Sequence, residues 1–242
     1  MADIEKGTHT HNDLEKGAHL HNNNYTNGAA AAPVPAAPRP SRISNPGPLG
    51  LFSFASTTLI LSLFNAQARG INHPNAVIGM AIFCGGLAQL LAGQWEFPRG
   101  NAFAATAFTS YGAFWMSYAT ILIPGSGIIA AYGDNKAEFD SAIAIYLTAW
   151  TLVTFYFLIV ALRKSVAFIA LFGFLTLTFM MLAAADYTAA NGVAGAGTNL
   201  KKSGGILGVI TAFIAYYIGV SELLAAETRA IARLPLGVFK HD

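Results

Sequence analysis

The chain has 242 residues, of which 54% are hydrophobic and only 11% charged, against about 25% charged for a soluble domain. Its net charge of +2, from 14 basic and 12 acidic residues, excludes the broad basic surface that nucleic-acid binding needs. The single cysteine, Cys84, excludes an intrachain disulfide and a thiolate metal cluster.

Residues 1–44 differ from all that follows. They open on a repeat of period ten, Asp3 to Asn12 answered by Asp13 to Asn22, each unit holding a His-x-His pair. The pairs His9/His11 and His19/His21 offer weak Zn or Cu ligands without fixed geometry, so no metal site is expected. With the Asn-rich and Ala/Pro-rich stretch that follows, the segment reads as a disordered tail. No apolar run after Met1 marks a signal peptide.

Six uncharged stretches then follow: Pro48 to Gln67, Ala76 to Gly93, Ala102 to Ile123, Ala142 to Leu162, Val166 to Ala185 and Gly204 to Val220. Each approaches the ~20 residues that a helix needs to cross a ~30 Å hydrocarbon layer. Six such runs in 242 residues leave too little polar surface to clothe a soluble globule. The pattern predicts an all-α integral membrane protein with six transmembrane helices over 45–237 and a short tail, 238–242. Placing both termini in the cytoplasm puts ten Lys and Arg on that side and four on the other, the arrangement that the positive-inside rule favours. The sequon at Asn24 would then stay cytoplasmic.

The first segment opens on Asn45-Pro46-Gly47-Pro48-Leu49-Gly50-Leu51, with Asn as N-cap and Pro at the first helical position. Its free amides and the helix dipole favour a nearby anion. Phe54, Thr58, Leu61 and Asn65 share one face of this helix, and polar groups at that depth, like Gln89 in the second segment, face protein or a wet path rather than lipid. The third segment adds a stripe of Phe108, Tyr111, Trp115 and Tyr118 beside Thr106, Thr109 and Ser110. Glu96 and Glu222 end the second and sixth segments, as proton sites or as partners of Arg99. Glycines at 79, 86 and 93, and at 204 and 208, allow close helix contact. The fifth connection, Asp186 to Ser203, reads as a loop. No Gly-rich phosphate loop, zinc-binding helix or nucleophile elbow is present, so no enzyme and no cofactor is expected.

These motifs resemble the acetate uptake transporters, a family that includes bacterial succinate and acetate permeases and fungal acetate and ammonia transporters. The likeness rests on Asn45 to Leu51, where Gly47 replaces the family's Ala, and on Thr106 to Gly112. It extends through Phe83-x-Gly85-Gly86-x-Ala88-Gln89, Gly100-Asn101 and Leu234 to Gly237. The resemblance implies a fungal plasma-membrane protein, six helices per subunit, a homo-hexamer, and a pathway through each subunit that carries acetate or another small monocarboxylate by proton symport or channel-like flux. It also implies a narrowest point at Phe54, Tyr111 and Leu175. Physically, two rings and an aliphatic side chain make a constriction that can gate by dewetting, while ring edges can meet a carboxylate. A carboxylic acid of pKa ~4.3 is neutral in roughly one molecule in several hundred at pH 7, so the anion needs a path. No Lys or Arg falls within the predicted spans, which implies weak, multi-site binding. The competing expectations are an ammonium or ammonia exporter and a membrane sensor signalling through its tail.

Overall fold

The computed structural model describes residues 43–239. The His-containing repeat and the Asn24 sequon lie outside the described residues. Six long helices follow one another: α1 Gly47–Asn65, α2 Pro74–Glu96, α3 Ala102–Leu122, α4 Lys136–Ala161, α5 Val166–Ala190 and α6 Ala194–Ala226. α5 packs between α4 and α6, α6 against α1, and α2 between α1 and α3. One end of the bundle carries Gly47, Glu96, Lys164 and Glu222; the other carries Asn65, Asp140, Asp186 and Lys201.

Five of the helices are long and apolar enough to cross a membrane. The other, α3, has no charged residue, but Thr, Ser, Tyr and Gly dilute its apolar character. Its Tyr111, Phe114 and Trp115 are buried, as are polar residues elsewhere in the bundle, among them Thr57, Thr58, Gln89, Thr154 and Thr211. Phe83, Trp95, Ile145, Tyr156 and Phe213 instead stand on the outside. Large apolar side chains on the outside, around an apolar core that also holds polar groups, are what a lipid-facing bundle requires.

Several helices run past the charge-free stretches. α4 starts at Lys136 rather than Ala142, because Asn135 caps it, accepting from the Glu138 amide at 3.2 Å, and Lys136 pairs with Asp140 one turn on at 2.5 Å. The fifth connection is not a long loop. α5 continues to Ala190 and α6 begins at Ala194, with Gly192 at φ +79° in the turn between. Gly197 lies close against the backbone of Ala185 and Ala189, so small residues that read as loop are in fact a helix contact. Lys201 and Lys202 consequently lie within α6.

α2 contains a π-helical segment, Met80–Ala88, in which the Gln89 amide reaches back five residues to the Cys84 carbonyl. A methyl at Gly86 would strike the Ala81 carbonyl, and one at Gly85 would lie 2.8 Å from Thr57 Cβ and Trp115 Cδ1. The glycine pair therefore permits both the wide turn and the close approach to α1 and α3.

The C-terminal segment folds back over the start of α5. Gly237 and Leu236 carbonyls accept from the Val166 and Ala167 amides at 2.9 and 3.1 Å, supplying partners to first-turn donors that a helix leaves unpaired. Tyr217 and Ser221 of α6 donate to the Pro235 and Leu234 carbonyls, both at 2.8 Å. This is the structural work of the Leu234 to Gly237 motif.

Candidate functional site

Two cavities lie inside the bundle. The larger, about 180 Å³, opens toward the Asp140–Asp186 end and is lined by Thr58, Asn65, Trp115 and Tyr118 among others. The smaller, about 120 Å³, lies toward the Glu96–Glu222 end and is lined by Gly47, Leu51, Gln89, Phe108 and Lys164 among others. They share three lining residues, Phe54, Tyr111 and Leu175. All three are almost fully buried, and the Phe54 and Tyr111 rings stand 5.7 Å apart.

Tyr111 is held from several sides. Its hydroxyl donates to Thr154 Oγ1 at 3.0 Å, and its ring contacts Trp150, Phe157 and Phe172. Three converging helices thus fix one wall of the junction, since a buried hydroxyl keeps its place where it has a partner.

Several buried hydroxyls are already satisfied within their own helix: Thr154 and Thr211, and Thr178 on the wall of the larger cavity, donate to carbonyls one turn back. Thr58 Oγ1 and Trp115 Nε1, in the larger cavity, have no hydrogen-bond partner among the described residues, and neither does either end of the Gln89 amide in the smaller one. Buried polar atoms are rarely left so, because each costs about 1–3 kcal/mol. Together they offer an indole N–H, a hydroxyl and an amide, all able to donate to a passing oxygen.

At the Glu96–Glu222 end, Arg99 donates to both Glu96 oxygens at 3.0 and 2.9 Å and to Asn45 Oδ1 at 2.7 Å. Asn45 Nδ2 donates to Glu222 at 3.2 Å, while Asn45 Oδ1 accepts from the Gly47 amide at 3.0 Å. Pro46 already has helical dihedrals, so Asn45 caps α1 as its position suggests. The acidic side chain at this helix start is Glu222: a methyl at Gly47 would collide with its carboxyl group. At the opposite end Asp140, Asp186 and Lys201 line the larger cavity.

Of the residues singled out in the sequence, Phe54, Thr58, Leu61 and Asn65 line the larger cavity, and Gly47, Leu51, Gln89, Glu96 and Glu222 the smaller. Asn45 joins the polar network at its rim. Pro46 and Pro48 shape the α1 start, Gly50 backs onto the Phe108 ring, and Leu49 points outward. Thr106 is not part of either cavity; it is exposed and bonds to the Ala102 carbonyl at 2.8 Å. Sequence reasoning missed Trp115 and Lys164. Trp115 was visible in the aromatic stripe, whereas Lys164 sits just outside a charge-free run and carries no such signal.

The sequence profile of the GPR1/FUN34/yaaH family matches residues 27–237. This chain belongs to that family. As a GPR1/FUN34/yaaH protein it is a multi-pass membrane protein. It is 41% identical over 215 residues to ammonia transport outward protein 2 of Saccharomyces cerevisiae, covering 89% of this chain and 72% of that protein. It is 42% identical over 203 residues to acetate permease A of Emericella nidulans, covering 82% of this chain and 67% of that one. Its fold is similar to the solved structure of the bacterial acetate channel SatP, with TM-score 0.68 and 32% identity over 81% of this chain and 100% of that chain.

Proposed function

We propose that this protein carries acetate and other small monocarboxylates across the membrane through a path inside the single subunit. The observation that carries this reading is the pair of cavities meeting only at Phe54, Tyr111 and Leu175, with unpartnered donors on both sides. A desolvated carboxylate needs hydrogen-bond donors along its route, and Trp115 and Thr58 supply them in the larger cavity and Gln89 in the smaller. The three shared residues form the gate, which opens as the rings move apart. The acetate permease and the acetate channel among the similar proteins support this substrate class.

In this reading all six helices, α3 included, span the bilayer, both termini are cytoplasmic, and the protein is a plasma-membrane homo-hexamer with one path per subunit. Glu96 and Glu222 are the groups through which protons would couple to flux if transport is symport rather than channel-like. A second reading, ammonium or ammonia export, is favoured by the similar protein named for ammonia transport. It would use acceptors rather than donors, and of the unpartnered cavity atoms the Gln89 carbonyl oxygen and Thr58 hydroxyl could serve.

Purified protein in liposomes should take up labelled acetate saturably and competitively with propionate. Flux of methylammonium alone, with no acetate flux above protein-free vesicles, would replace this reading with the second.

A further inference from the structure

Lys164 lines the smaller cavity together with Glu96 and Glu222, yet neither carboxylate holds it. Glu96 is paired with Arg99 at 2.9 Å, and Glu222 accepts from Asn45 at 3.2 Å. Among the described residues Lys164 makes no ion pair of 4 Å or less. Its ammonium instead stands 4.5 Å from the centroid of the Phe103 ring, a contact weak enough to be exchanged for an anion. The stem is fixed: the Lys164 carbonyl accepts from the Phe239 amide at 3.2 Å, and the next residue, Ser165, pairs with Val238 and caps α5 by accepting from Phe168 at 3.2 Å.

Deeper in the same cavity lies Gln89, with no exposed surface and both polar atoms unpartnered. Among the described residues the cavity therefore offers one uncommitted positive charge and one uncommitted amide, the two things a carboxylate requires. The Phe103 shelf also touches Phe172, whose ring stacks on Tyr111 at 6.4 Å, so this pair of groups sits directly before the junction of the two cavities.

We propose that Lys164 and Gln89 form a carboxylate-binding subsite in the smaller cavity, Lys164 meeting the charge of the anion and the Gln89 amide its oxygen. The proposal rests on the acetate reading and adds the residue that selects for charge. Lys164 precedes α5, outside the charge-free runs in which no Lys or Arg falls.

The test is acetate flux in liposomes as a function of substrate concentration and ionic strength, for wild type, K164R, K164Q and K164E. The subsite predicts half-saturation within about twofold of wild type for K164R, raised about tenfold for K164Q, and higher again for K164E, with the salt dependence of wild type weakened in K164Q. Gln and Glu have the same shape, so a difference between them reports charge and not packing. Equal half-saturation for K164Q and K164E, or for K164Q and wild type, overturns the subsite while leaving acetate transport standing. Absence of acetate flux in wild type overturns both. If K164Q fails to incorporate, the salt dependence of K164R and K164E decides: the subsite predicts that only K164R keeps that of wild type, and the same salt dependence in both overturns it.

Discussion

Phe54→Ala is expected to relax substrate selection, raising uptake of butyrate and succinate relative to acetate by about tenfold. The ring is one of three groups separating cavities of about 180 and 120 Å³, and its removal joins them. Because the ring faces cavity space on two sides, the loss of stability should fall below the ~3–5 kcal/mol of a filled core, near ~2–3 kcal/mol. Tyr111→Phe is the matched comparison: it keeps the ring and loses only the 3.0 Å bond to Thr154, costing about 1 kcal/mol, and should preserve selection. Competition of unlabelled acids against labelled acetate measures both. Unchanged competition in Phe54→Ala would remove the ring from the path.

Gln89→Leu should move stability and transport in opposite directions. The wild-type amide is fully buried with neither end partnered, so an apolar side chain of similar volume removes a desolvation penalty and should stabilise the fold by about 1–2 kcal/mol. Transport of acetate should fall about tenfold or more, because the substrate loses a donor in a dry region. Thermal unfolding in detergent and liposome flux on the same preparation read the two effects. A variant both less stable and fully active would mean that Gln89 is a structural residue with partners of its own.

The cores of the six helices were legible in the sequence because the bilayer imposes a coarse rule: a long run without charge. Their ends were not, because charge stops being informative where the helix leaves hydrocarbon. Lys136 and Asp140 pair across one turn and so prolong α4, while Lys201 and Lys202 ride on an α6 whose first turns are Gly and Ala. The π-helical turn was legible only as a Gly85–Gly86 pair, which reads equally as ordinary close packing. On the site side, helical spacing alone put Phe54, Thr58, Leu61 and Asn65 on one face, and that face lines a cavity. Thr106, named for its place in the Thr106 to Gly112 motif, lies outside that face, since a hydroxyl bonded to its own helix can face outward at little cost. Which polar groups lack partners depends on tertiary neighbours, so Trp115 and Gln89 acquire their meaning only in the fold.

In the proposed path, substrate passes the junction of Phe54, Tyr111 and Leu175. That passage is tested most directly by Leu175→Cys in a Cys84→Ser background, which leaves one thiol in the chain, treated with a small methanethiosulfonate during acetate flux. Modification at this passage is expected to stop flux, reductant to restore it, and acetate to slow the modification. Complete modification with flux unchanged would contradict the proposed path.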